Sequence, residues 1–129
     1  MIVVDSAALV DALTVVEGSE ELRADLAGED LHAPTLLDFE VVSALRGLTV
    51  GGQISAARAR DALTDFDALP IRRWPSSAAF RLRAFALRDN LTAYDAAYVA
   101  LAEALECPIL TRDTRLSRSR GHNVEIRVR

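Results

Sequence analysis

The chain has 129 residues and a formal net charge of −4 at neutral pH, a length that suits one domain over residues 1–129. Hydrophobic residues make up 50% of it and aromatics only 5%, so the core must be built from Ala, Leu and Val, which favours helices. The lone cysteine, Cys107, cannot form an internal disulfide and sits among Leu105, Pro108 and Ile109 like a packing residue. Met1–Val4 is apolar, but no basic segment precedes it and Asp5 and Asp11 interrupt it, which excludes an ordinary signal peptide or membrane span and leads us to expect a cytoplasmic protein.

Met1–Val4 reads as a short buried strand ending at Asp5, and Ser6 to Val15 as a helix carrying Leu9, Val10 and Leu13 at helical spacing. A second helix is predicted over Ser19 to Ala27, then a brief link or strand, Asp30–Ala33, stopped by Pro34. Thr35-Leu36-Leu37-Asp38 has the form of a capping box, opening a long helix closed by Gly51-Gly52. Further helices are expected from Ser55 to Leu69 and from Pro75-Ser76 to about Arg88, around a strand Ile71–Trp74. Thr92 to Asp95 repeats the capping-box pattern before a helix that ends near Leu105. Pro108–Thr111 is a strand, Asp113 or Thr114 caps a turn, and Val124–Val128 is a last strand. Strands alternating with helices imply a parallel sheet covered on both faces, an α/β/α sandwich. Ligands of such sheets gather beyond the carboxyl ends of the strands, where Asp5 and Asp113 fall.

Four acids stand out. Glu40 lies at the margin of its helix's apolar stripe, with Leu36 and Ala44 one turn away on either side, where a carboxylate is costly unless paired or bound to a cation. Asp95 opens a helix that is apolar almost all round, from Ala96 to Ala102, which aims it inward. Each acid also has a local reading: Asp95 as the acid of its capping box, Asp5 and Asp113 as caps of the next turn. Carboxylates gathered together need a compensating cation, and oxygen-only ligation selects hard Mg2+ or Mn2+. His32 and His122 are isolated, so zinc is disfavoured. Water activated at such a site, with help from a carboxylate, could attack a phosphodiester.

All 15 basic side chains are arginine, concentrated after Ile71, whereas acids dominate before Pro70. That asymmetry suits an anionic partner on one side of the molecule, or merely a solvated surface. Trp74 could stack on a base, although a lone Trp in this setting reads more readily as packing.

The segments "IVVDSAALV", "PTLLDFEVVSAL", "LTAYDAAYVALAEAL" and "PILTRDTRL" together resemble the PIN-domain ribonucleases, specifically the VapC-type toxins of toxin–antitoxin pairs, in the family's order and over nearly the whole chain. The resemblance implies that Asp5, Glu40, Asp95 and Asp113 form an acidic Mg2+ site (Mn2+ may substitute). It implies that Thr111, and more weakly Ser6, help hold that site, and Arg112 and Arg115 become weak candidates for RNA contact. It also implies cleavage of single-stranded RNA, a homodimer, and a cognate antitoxin through which alone DNA is met. A non-catalytic PIN-fold module acting as a co-repressor with its antitoxin is the competing reading. Other phosphate chemistries fit worse: the chain lacks lysine, so it has no P-loop, and it has no Gly-x-Gly-x-x-Gly and no nucleophile elbow.

Overall fold

The computed structural model describes residues 1–129. Its elements run β1 (Ile2–Val4), α1 (Ser6–Leu13), α2 (Glu20–Gly28), β2 (Leu31–Pro34), α3 (Leu37–Val50), α4 (Ala56–Ala68), β3 (Ile71–Trp74), α5 (Ala78–Ala86), α6 (Ala93–Leu105), β4 (Ile109–Thr111) and β5 (Ile126–Val128). The five strands form one sheet in the order β3-β2-β1-β4-β5, and every neighbouring pair is parallel. The chain steps outward from β1 to β3, then crosses back to β4. Right-handed crossovers therefore put α1–α4 on one face and α5 with α6 on the other, in keeping with the packing of α1 on α3 and α4 and of α5 on α6.

The inner strands are dry along their whole length. Ile2, Val3 and Val4 of β1 and Ile109, Leu110 and Thr111 of β4 are wholly buried, and β-branched side chains suit such a doubly covered strand. Leu9, Leu22, Leu37 and Leu45 fill the space below one face, and α6 contributes an unbroken buried run from Ala96 to Ala102 on the other. The reversal point between β1 and β4, with Val4 paired to Leu110, is the crevice where parallel sheets hold ligands.

One local expectation is corrected. Thr35 does not cap α3: the residue before the helix is Leu36, no side chain caps it, and the Asp38 amide bonds the Thr35 carbonyl instead. Asp38 accepts from Arg73 Nε at 2.9 Å, across to β3, so a tertiary ion pair takes the acid that a capping box would have used. The second box is half formed, with the Thr92 hydroxyl accepting the Asp95 amide at 3.2 Å. At the far end of α3 the turn needs Gly52, whose φ is +78°.

Leu9→Ala is expected to cost about 2–5 kcal/mol of unfolding free energy, because α1 cannot collapse onto the cavity left beside β1. Urea denaturation measures it, and a cost below about 1 kcal/mol would contradict the packing described.

Candidate active site

Asp5 ends β1 and caps α1: its Oδ1 accepts the Ala8 amide at 2.9 Å. Its Oδ2 accepts a hydrogen bond from the Thr111 hydroxyl, and the Thr111 oxygen in turn accepts the Asp113 amide at 2.9 Å. Thr111 is fully buried, so this one hydroxyl locks the ends of β1 and β4 and the following turn into a single unit. The capping reading of Asp5 is thus true of this carboxylate, which keeps its second oxygen on Thr111.

Glu40 lies in the first turn of α3, and its Oε1 accepts from the Tyr98 hydroxyl at 2.6 Å. Tyr98 is buried on α6, one turn after Asp95, so this bond ties the helices of the two faces together above the sheet edge. Sequence reasoning left Tyr98 without a role. The available signal was its hydroxyl, which must find a partner when the ring is buried in an apolar helix.

Electrostatics shows that the four acids share one region. Burial raises the Asp5 carboxyl to about 6, against the hydrogen bonds from Thr111 and Ala8, and the like charges of Asp113 and Asp95 add to the rise. Burial also raises Glu40, opposed by the Tyr98 bond and reinforced by Asp95. The Tyr98 phenol is held far above its ordinary range by burial and then by Glu40. Asp113 shifts the other way, its carboxyl lowered chiefly by the Arg115 side chain.

The site fits a hard divalent ion by its donors: four carboxylates and two hydroxyls, without sulfur or imidazole. Burial first, and the like charges of Asp113 and Asp95 after it, hold Asp5 partly protonated near pH 6, and a bound cation would favour its ionised form. The side chains do not yet form a closed cage, for no three potential ligands converge tightly. Three of the acids instead have protein partners: Asp5 is held by Thr111, Glu40 by Tyr98 and Asp113 by Arg115.

Ser6 opens α1 half-buried, but it is Thr111 that holds Asp5. The arginines behave differently from the asymmetry noted in the sequence. Arg112 pairs with Asp11 at 2.9 Å and with the Arg129 carbonyl, while Arg73, Arg83, Arg127 and Arg129 pair with Asp38, Glu103, Glu29 and Asp25. Much of the basic half is thus spent on tying itself to acids. Trp74 donates to His32 Nδ1 at 3.0 Å and lies under the Arg72 guanidinium at 4.2 Å, so it is a packing residue. A cavity of about 640 Å3 opens at the opposite edge of the sheet among Arg83, Glu103, Cys107 and His122, away from the four acids.

A parallel sheet with paired carboxylates and a buried threonine at its reversal point defines the class, and comparison with known proteins agrees. The PIN domain family model matches residues 2–121. The chain belongs to the PIN domain family and, within it, to the VapC type. Ribonuclease VapC12 of Mycobacterium tuberculosis is 42% identical over 126 residues, covering 98% of this chain and 97% of that one. Ribonuclease VapC1 of the same organism is 45% identical over 130 residues, covering 98% and 96%. Among solved structures, M. tuberculosis VapC20 superposes with a TM-score of 0.69 at 12% identity, over 92% of this chain and 94% of that one. The toxin–antitoxin complex from Klebsiella pneumoniae gives 0.61 at 21% identity, over 91% and 90%; both share the fold.

Because the Asp5 carboxyl titrates higher in the folded than in the unfolded chain, its ionisation works against folding. That cost grows from about pH 4 to about pH 6 and is complete above. In EDTA at pH 7.5, Asp5→Asn should raise the unfolding free energy by ~1–3 kcal/mol, with the gain shrinking toward pH 5. Denaturation at both pH values tests this, and a variant less stable at pH 7.5 would contradict it.

Proposed function

We propose that this protein is a divalent-metal-dependent endoribonuclease that cuts single-stranded RNA and acts as the toxin of a toxin–antitoxin pair. What supports the reading is that Asp5 feels the like charges of Asp113 and Asp95, and Glu40 that of Asp95, although the four acids come from separate segments. Relatives named ribonucleases along nearly the whole chain support it, as does the description of VapC20 as a toxin that cleaves the sarcin–ricin loop.

In this proposal Asp5, Asp95, Asp113 and Glu40 hold Mg2+, with Mn2+ able to replace it. Such an ion supplies Lewis acidity toward the phosphodiester and makes nearby water more acidic. Thr111 keeps Asp5 aimed at the edge of the sheet. Glu40 has one oxygen fixed by Tyr98, which leaves the other to take the proton of the attacking water. The water oxygen bonds to phosphorus, and one ester oxygen leaves with the bonding pair and gains a proton. Arg112 is anchored inside the fold, so its contribution to RNA is through the field it adds at the rim.

A homodimer and a protein antitoxin belong to the same proposal. Apolar side chains left in solvent support association: Phe39, Leu82, Phe85 and Tyr94 are 62–80% exposed. Phe85 and Tyr94 also flank a groove of about 440 Å3 with Leu36, Trp74 and Phe80. The complex from Klebsiella pneumoniae supports an antitoxin partner, through which alone we expect contact with DNA. A cytoplasmic location is part of the proposal; no helix is long and apolar enough to cross a membrane.

Purified protein incubated with total RNA should cut in Mg2+ or Mn2+ and not in EDTA. Asp5→Asn should lower the rate by ~100-fold or more, and Thr111→Val by ~10–100-fold through loss of the hydroxyl that orients Asp5. Cutting in EDTA, or full activity in Asp5→Asn, would overturn the proposal.

A further inference from the structure

Arg115 occupies the acidic cluster in a way no other arginine does. Its Nε and a terminal nitrogen grip the two oxygens of Asp113 at 3.2 and 2.9 Å, and its field reaches Asp95 as well. Arg73, Arg83 and Arg112 each pair with an acid and also donate to a backbone carbonyl, of Ile71, Gly121 and Arg129 respectively. That second anchor fixes those three to the fold. The Arg115 guanidinium bonds Asp113 alone, and its side chain is 84% exposed against 29% for Asp113.

An ion pair so open to water is weak and easily exchanged. A doubly charged ion competes for the same carboxylate with twice the charge and a closer approach. Losing the guanidinium would not release Asp113 from its place, because the Arg115 amide also donates to its Oδ1 at 2.9 Å and the Asp113 amide stays on Thr111. The freed side chain would then stand at the rim of the cleft, with a planar fork suited to a phosphate.

We propose that Arg115 is an exchangeable counter-cation: it neutralises Asp113 in the metal-free protein, is displaced when the divalent ion binds, and then grips the RNA backbone. The idea rests on the metal-dependent reading above and adds to it a coupling between metal binding and substrate binding. It makes Arg115 a competitor of the metal as well as a helper of the substrate, two roles with opposite signatures.

Isothermal titration of the full chain with Mn2+, after removal of metals, separates them. Arg115→Gln should bind Mn2+ about two- to fivefold more tightly than the wild type, whereas Arg115→Lys, which keeps a competing charge, should stay within about twofold. In steady-state RNA cleavage Arg115→Gln should raise KM severalfold with kcat little changed, and flatten the salt dependence of kcat/KM. Thermal melting in EDTA checks that both variants fold. Unchanged or weaker Mn2+ binding by Arg115→Gln, with the wild type binding normally, overturns the exchange and leaves the nuclease reading standing. A wild type that binds no Mn2+ overturns both.

Discussion

Parallel pairing of β1 with β4 sets the buried Thr111 hydroxyl against Asp5, and the acidic edge depends on that contact. The two residues are separated by 106 positions, and nothing local to either could hold a carboxylate where burial raises it to about 6. Thr111 also receives the Asp113 amide, so the same hydroxyl sets the position of a second acid. The cost of crowding negative charge is borne by the dry sheet beneath, in which β1 and β4 are completely buried.

A second tie, Tyr98 to Glu40, works across the sheet rather than along it. The helices on the two faces would otherwise meet the edge independently. By joining α3 to α6 it holds Glu40 within the field of Asp95. Three of the acids have a partner that orients the carboxylate, Thr111 for Asp5, Tyr98 for Glu40 and Arg115 for Asp113, while Thr92 holds the Asp95 amide. Asp5, Glu40 and Asp113 are therefore fixed in direction before any ligand is bound.

How much of this could be read from the sequence differs by element. β1, β4 and α6 were legible because their residues are apolar on all sides, a pattern that only a doubly covered sheet and its central helix produce. Asp5 and Asp113 were placed by the strand ends beside them, and Glu40 by its position at the edge of an apolar stripe. Asp38 misled, because a capping-box pattern is local while its true partner, Arg73, lies 35 residues away. Of the arginines only the composition was legible, an acidic and a basic half; the sequence could not show which of them pair internally, as Arg112 does with Asp11 and Arg129 with Asp25. Tyr98 went unassigned because a tyrosine among alanines looks like core until its hydroxyl is accounted for.

The central claim is that distant carboxylates share one hard cation. Crystals grown without metal and soaked in Mn2+ test it most directly, through the anomalous signal of the ion. The account predicts a peak about 2.0–2.3 Å from an Asp5 oxygen, bonded also to an oxygen of Asp95 or Asp113, with Arg115 moved off Asp113. A saturating soak with no peak at that edge, or a peak only elsewhere on the molecule, would contradict it.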